Sequence, residues 1–208
     1  MRSKTLIIQT DIGRGTQWGT INTINPIREI FIPSVKEYCS KHKYEHLLII
    51  ESEYDKRFGT YDFLDSVNKH YSFERYFHFK NEYDFTIYID NDVYIYPDAN
   101  PLPNFKGLMN VKEPEGNSSK IFRQVNNLNE SYAYYNSGVT FCDKNTASLL
   151  ADYMMDRLHN NKRPKGKNSD NMLLNEFILE NSDIFNELSS EWNYMPFLPN
   201  FNKKLKPN

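Results

Sequence analysis

Short apolar runs alternate along the chain with longer stretches whose apolar residues recur at helical spacing. The first run, Lys4 to Thr10 (Lys-Thr-Leu-Ile-Ile-Gln-Thr), predicts a strand, and Glu45 to Glu51 predicts a second. The third, Phe85-Thr-Ile-Tyr-Ile89, is β-branched and aromatic without polar interruption. That is the pattern of a strand buried on both faces in the middle of a mostly parallel sheet. Lys106 to Val111 and Tyr134 to Cys142 predict two more strands, the latter entered through a turn at Asn136-Ser137-Gly138. Helical patterns fill the intervals. Asn25-Pro26 reads as an N-cap with a first-turn proline; Ile27, Ile30, Phe31, Val35 and Tyr38 then share one face, and Pro33 kinks or splits the helix. A helical region from about Tyr61 to Phe79 precedes the third strand. After the fifth strand Asn145 or Thr146 caps a helix whose core face is Leu149, Leu150, Tyr153, Met154 and Leu158. Ser169 caps the last helix, Asp170 to Ile178. The polar stretch Glu113 to Glu130 is hard to assign and is read as a loop over the substrate; Asn160 to Lys167 is a basic loop, and Lys203 to Lys206 a basic tail.

Strands alternating with helices predict an α/β fold: one domain over residues 1–208, with a mixed, mostly parallel central sheet flanked by helices. A length of 208 residues suffices for a sizeable core, and 39% hydrophobic with 25% charged residues excludes a disordered chain. The net charge of -2 gives no electrostatic reason to expect nucleic acid or an anionic membrane as partner. The two cysteines, Cys39 and Cys142, have no metal-binding or redox spacing and favour a reducing compartment. No apolar run approaches the roughly 18 residues of a membrane span, and Met-Arg-Ser-Lys-Thr leads into the first strand without a signal-peptide core. The expectation is a cytoplasmic protein, monomer or dimer, without an integral membrane segment.

The third run delivers the candidate chemistry. It ends in Asp90-Asn91-Asp92. In an extended chain residues two apart point to one side, so both carboxylates face the sheet edge where ligands of open α/β sheets bind. Two hard oxygen anions suit Mg²⁺ or Mn²⁺ shared with a substrate's phosphates; the alternative is a solvated acidic turn. Asp11-Ile-Gly13-Arg14-Gly-Thr16 follows the first strand. It is either a glycine-bearing loop whose N–H groups approach a nucleotide or an ordinary strand-to-helix connection, for it lacks a complete phosphate-binding signature. His70, Arg75 and His78 precede the acidic strand; the histidines are metal ligands or helix-packing residues. The 15 Tyr and 14 Phe suit sugar or base stacking, or core packing. Asp170 stands in the first turn of the last helix, where the helix dipole favours the ionised carboxylate.

Four segments in order carry a family resemblance. Tyr88-Ile-Asp-Asn-Asp-Val93, followed by Pro97-Asp98 and Pro101-Leu102, resembles the Asp-x-Asp segment of GT-A glycosyltransferases. Tyr135-Asn-Ser-Gly-Val139 resembles the Phe-Asn-Ser-Gly-Val of the retaining family 8 enzymes, the glycogenin and galactosyltransferase group. Ser169-Asp-Asn-Met-Leu-Leu-Asn175 is similar to their Asp-Gln-Asp-x-Leu-Asn, and Trp192-Asn-Tyr194 to their Trp-Asn-Tyr. The small size and Asn/Tyr/Lys-rich make-up also resemble the compact sugar transferases encoded by chlorella viruses, so a viral protein acting in host cytoplasm is one expectation.

The resemblance implies a single GT-A domain that moves a hexose from a UDP-sugar to a hydroxyl of a glycan, glycoprotein or other acceptor. UDP-glucose is the default donor, with galactose, xylose and rhamnose open. It implies that Asp92, and Asp90 directly or through the ribose, hold Mn²⁺ or Mg²⁺ on the diphosphate, with Asn91 beside them. Thr10, Asp11, Gly13 and Arg14 would receive uracil and ribose. Asn136, Ser137, Gly138 and Asp170 would contact the transferred sugar, Asn136 and Asp170 being the catalytic candidates. Trp192 would offer the sugar an apolar face or pack in the core. The family's C-terminal His-x-x-Gly-x-x-Lys-Pro has its nearest match in Asn200 to Pro207, where Asn200 replaces the metal-binding His and Lys206 fits the diphosphate-contacting Lys. Asn171 replaces the family's Gln. Retention by a front-face reaction is implied; under inversion Asp170 is the base. Three other readings stand beside this one. A sugar-phosphate nucleotidylyltransferase would use Gly13-Arg-Gly-Thr16, although Gln17-Trp18 departs from its signature. A phosphatase would use Asp90 as nucleophile. The last is a non-catalytic sugar-nucleotide-binding protein.

Overall fold

The computed structural model describes residues 3–12, 27–53, 56, 71–79, 82–160 and 170–192. Its centre is a six-stranded sheet. Strand β1 (Thr5–Thr10) lies between β2 (Glu45–Ile49) and β3 (Phe85–Ile89) and runs parallel to both. On the other side of β3, β5 (Tyr135–Asp143) runs antiparallel to β3 and to β4 (Leu108–Lys112). A sixth strand, β6 (Phe185–Leu188), pairs parallel with β4 and gives the order β2-β1-β3-β5-β4-β6. Three of the five pairings are parallel, as the alternation of elements predicts. β6 was not expected: it is four residues long, and Asn186 and Glu187 are exposed on the sheet edge, so no apolar run marks it.

Side chains alternate across the sheet. Ile7, Ile87 and Ile89 face α1 (Ile32–His42), which buries Val35, Tyr38 and Cys39 against them. Leu6, Ile8 and Tyr88 point the other way. They meet Phe73, Tyr76 and Phe79 from the segment around the 3₁₀ helix Tyr71–Phe77, together with two later helices, α3 (Lys144–His159) and α4 (Asp170–Glu180). Both faces of β3 are therefore covered, as its unbroken apolar run requires.

Several local expectations are corrected. α1 is preceded by a π-helical turn, Ile27–Phe31, that ends just before Pro33. The wider turn shifts the phase of the helix, so the buried stripe is Ile32, Val35, Tyr38 and Cys39, and Ile30 is 51% exposed. α3 is capped by Asp143, whose Oδ1 accepts from the Thr146 N–H at 2.9 Å, and not by Asn145 or Thr146. Its stripe is Thr146, Ala147, Leu150, Ala151, Met154 and Leu158, with Leu149 turned to solvent. The stretch expected as a substrate-covering loop contains helix α2 (Asn117–Val125). Ser119 Oγ closes its first turn, accepting from the Gly116 N–H (3.0 Å) and donating to the Gly116 carbonyl (2.8 Å), while Phe122 packs on Tyr134 and Met172. The expected turn at Asn136-Ser137-Gly138 is part of β5. Asn25, Pro26, Tyr61 to His70, Lys162 to Lys167, Ser169 and the tail after Trp192 lie outside the described residues. No described helix is long and apolar enough to cross a membrane.

Candidate active site

The site is built on a bulge in β5. Asn110 on β4 pairs with Thr140, yet Lys112 pairs with Tyr135, so two residue steps on β4 face five on β5. The surplus is Asn136-Ser137-Gly138 and its neighbours, pushed out of the ladder. Fully buried Asn110 holds it. Its Nδ2 donates to the carbonyls of Asn136 (3.1 Å) and Val139 (3.0 Å) and to Thr140 Oγ1 (2.8 Å). Thr140 Oγ1 in turn donates to the Ser137 carbonyl at 3.1 Å.

β3 brings Asp90 against this bulge. The strand stops at Ile89 and does not run extended through Asp92. Asp90 opens a tight turn, its carbonyl accepting from the Val93 N–H at 3.2 Å, while its own N–H donates to the Gly138 carbonyl at 2.7 Å. The turn, not strand alternation, brings Asp90 and Asp92 together. Gly138 is required here by close approach: a Cβ would lie 2.6 Å from Asp90 Oδ2 and 2.8 Å from Asn136 Oδ1. Behind the turn, buried Gln9 reaches the Asp90 carbonyl with Nε2 at 3.4 Å, and Gln9 Oε1 meets His46 Nε2 at 3.1 Å.

A buried cation underlies the carboxylates. Arg75 is fully buried, with its guanidinium 4.0 Å over the Tyr88 ring. It donates to Asp170 Oδ2 (2.8 Å), the Tyr76 hydroxyl (3.1 Å) and the Ser137 carbonyl (3.3 Å). Ser137 Oγ donates to the same Asp170 Oδ2 at 2.6 Å, so both bonds fall on one oxygen. Asn171, next on α4, accepts the Ser137 N–H at 2.8 Å and donates to Glu113 Oε2 at 3.3 Å. Asn175, one turn further along, pairs with both the N–H and the carbonyl of Tyr135 at 2.8 Å. α4 is thus stitched to the bulged strand, and Asp170 at its start is fixed beside Ser137.

Electrostatics oppose charge at the acidic pair. Burial, then the neighbouring Asp92 charge, push the Asp90 carboxyl up to about 6, against the pull of Arg75 and a hydrogen bond from Tyr88. Asp92 is open to water but crowded by protein, and that desolvation raises its carboxyl also. Among the described residues Arg75 is the cation that pulls the Asp90 carboxyl down, and it does not offset burial and the like charge.

No family model matches the chain, and no curated protein sequence matches it. Solved structures do. A glycosyltransferase involved in glycosylation of the major capsid of PBCV-1 superposes with a TM-score of 0.55 at 17% identity, over 90% of this chain and 82% of that one. An active-site variant of LgtC superposes with a TM-score of 0.57 at 12% identity, over 98% of this chain and 79% of that one. The bifunctional glycosyltransferase WbbM gives 0.54 at 12% identity, over 92% of this chain and 40% of that one. The fold is that of the GT-A glycosyltransferases.

Within this fold Asn136, Ser137, Gly138, Asp170, Asp90 and Asp92 lie around the carboxyl end of β3, with Asn91 in the turn between the two acids. Thr10 ends β1 two residues beyond Ile8, whose partner is Tyr88, so it stands level with Asp90; its Oγ1 is buried, with no hydrogen-bond partner among the described residues. Asp11 is ion-paired with Arg28 Nε at 2.8 Å. Trp192 sits elsewhere: it packs edge-on against Phe141, ring centroids 5.5 Å apart, in the core on the α1 side of the sheet. Gly13, Arg14, Asn200 and Lys206 lie outside the described residues. Among the described residues no group of three or more His, Cys, Asp and Glu is placed to hold a metal, His78 included. Sequence reasoning named Arg75 without a role and missed Asn110 and Glu113. The signal for Arg75 was present: a lone cation inside the aromatic run Tyr71-Ser-Phe-Glu-Arg-Tyr-Phe77.

Proposed function

We propose that the chain is a metal-dependent glycosyltransferase that moves a hexose from a UDP-sugar to an acceptor hydroxyl with retention of configuration. The observation that carries the reading is the pair Asp90 and Asp92 at the carboxyl end of β3, packed on a glycine that leaves room for the Asp90 carboxylate. The donor set fits a hard divalent cation. Both ligands are carboxylates raised by burial, and a site of one or two carboxylates completed by substrate phosphates is the usual arrangement for Mg²⁺. When bound, Mn²⁺ or Mg²⁺ supplies charge neutralisation at the departing diphosphate.

The chain's own groups do the rest. The buried Thr10 hydroxyl, level with Asp90, suits a donor contact, and Asp11 with its Arg28 partner lies at the same strand end. Asp170 is oriented through Oδ2 by Arg75 and Ser137, which leaves Oδ1 to accept from a hydroxyl of the transferred sugar. Asn136 stands next to Gly138 with its Oδ1 on the Gly138 N–H at 2.7 Å. Asp170 is held by Arg75 and Ser137 as a positioned acceptor for a sugar hydroxyl. In a front-face reaction the leaving phosphate takes the acceptor proton, and the acceptor oxygen bonds the anomeric carbon on the face from which that phosphate departs, which gives retention. The product anomer read by NMR tests this: an inverted product removes the front-face reaction. UDP-glucose is the default donor and a glycan or glycoprotein the acceptor.

The first experiment is calorimetric binding of a UDP-sugar panel, with and without Mn²⁺, to wild type and Asp92→Ala. Metal-dependent binding of one UDP-sugar, abolished by the substitution, supports the reading. Equal binding by the variant would falsify it.

A further inference from the structure

A groove of about 720 Å³ opens between α2, the 130–134 segment and the β4–β6 edge. Glu113 belongs to both this groove and the candidate active site. It lines the cavity, and its carboxylate accepts from the side chains of Asn171 and Asn136, which hold the backbone N–H groups of Ser137 and Gly138. The groove is therefore one hydrogen bond away from the bulge that faces Asp90.

Its charge is one-sided. Among the described residues Glu113, Glu115, Glu130 and Glu187 line it against Lys112 and Arg123, and Arg123 is ion-paired with Glu115. Burial raises the Glu113 carboxyl and the Asp170 charge adds to the rise, although the Asn136 hydrogen bond opposes it. An anionic ligand would add a further like charge. Carboxylates accept strongly from hydroxyls, and the wall includes Tyr132, an aromatic side chain of the type that packs on sugars. The volume lies within the roughly 300–1,000 Å³ of sites that enclose drug-sized ligands, so it suits several linked sugar rings better than one.

We propose that this groove seats the acceptor and that the acceptor is an uncharged oligosaccharide, its reacting end at Glu113. The inference rests on the transferase reading above. It is tested by binding the full chain, with UDP and Mn²⁺ present and absent, to an array of neutral, sialylated and sulfated oligosaccharides. Calorimetry of a UDP-sugar on the same samples reports the donor site separately. Neutral oligosaccharides are expected to bind and acidic ones to be rejected. Tyr132→Ala and the charge reversal Glu130→Lys, at an exposed position, each weaken neutral-glycan binding by about tenfold and leave UDP-sugar binding unchanged; Glu130→Lys also relaxes the rejection of sulfated glycans. Equal binding of acidic glycans, or wild-type glycan affinity in Glu130→Lys and in a folded Tyr132→Ala, overturns the proposal. So does a wild-type protein that binds UDP-sugar but no neutral oligosaccharide at millimolar concentration. Glycan binding without any UDP-sugar binding instead sinks the transferase reading, and the acceptor role with it.

Discussion

Gly138→Ala probes the site at its tightest point. The new Cβ would lie 2.6 Å from Asp90 Oδ2, which is 0.8 Å short of the 3.4 Å at which ordinary contact begins, and 2.8 Å from Asn136 Oδ1. The backbone is poorly placed to yield. The Gly138 carbonyl accepts from Asp90 N and the Gly138 N–H donates to Asn136 Oδ1, both at 2.7 Å. The displacement therefore falls on the Asp90 carboxylate. Overpacking of this kind costs about 1–3 kcal/mol, and each kcal/mol lowers the melting temperature of a domain this size by about 2–4 °C, so the variant still folds at room temperature. The functional loss is larger, since a misplacement near 1 Å costs about a hundredfold in rate. Mn²⁺-dependent UDP-sugar binding by calorimetry and the transfer rate are to be measured beside a thermal melt. The expected result is donor affinity down by at least about tenfold and transfer down by about a hundredfold, with a modest shift in melting. A folded variant with wild-type donor binding and rate would refute the reasoning, for Asp90 could then move freely without consequence.

Arg75→Met removes a fully buried guanidinium from its ion pair with the partly exposed Asp170, and urea unfolding should show a loss of up to about 3–5 kcal/mol. Arg75→Lys should not restore it, because a single ammonium cannot span Asp170, the Ser137 carbonyl and the Tyr76 hydroxyl; wild-type stability in that variant counts against the fork. Asn110→Ala removes the donor from the buried bulge carbonyls, at about 1–3 kcal/mol, and amide exchange at residues 136–139 should quicken; unchanged exchange there means the bulge does not need its clamp. Asp143→Ala loses the α3 cap and the acceptor for the Gly107 N–H, about 1–2 kcal/mol in urea unfolding. Although burial raises the Asp143 carboxyl, the Thr146 and Gly107 N–H groups outweigh it and lower it. A depressed carboxyl stabilises above its unfolded value and loses that contribution as pH falls through the folded value. The difference between wild type and Asp143→Ala should therefore be full at neutral pH and shrink below about pH 4; a pH-independent difference would remove the charged-cap account.

The central strands declared themselves in sequence because their burial is nearly complete. β1 and β3 are largely apolar runs because both sides of each are covered, and β3 reads as central and proves central. The edge strand β2 still shows an apolar core, Leu47-Leu48-Ile49, but two other elements carry no such mark. β6 is an edge strand with outward Asn186 and Glu187, and its partner β4 lies far earlier in the chain, so no local pattern marks the pairing. α2 buries Ser119, Phe122 and Arg123, has Gly116 at its N-cap position, and is closed by a hydroxyl from within its own first turn. Its sequence therefore offers neither an apolar stripe nor a conventional cap. The phase of α1 differs from the helical pattern for a different reason: Pro33 marks a break, but the π-helical turn before it, which shifts the phase, has no residue pattern of its own.

The candidate site divides along the same line. Asp90, Asp92 and the Asn136–Gly138 segment could be named because each is a short local pattern, but what makes them a site is long-range. Asn110 plugs the bulge from 26 to 30 positions away, and Arg75 reaches Asp170 across 95. Gly138 is the position where the two kinds of information meet. Read alone it is a small residue suited to a turn; in the fold it is not in a turn, and its missing side chain is the space in which the Asp90 carboxylate sits. Asp170 likewise is legible as the first residue of a helix, but its orientation comes from Arg75 and Ser137, which meet on the same oxygen. The acidic pair is then held between a bulge fixed by an amide and a helix start fixed by a buried guanidinium. Both supports are rigid core features, so loss of Asn110 or Arg75 should disorder the site without removing any group that touches substrate.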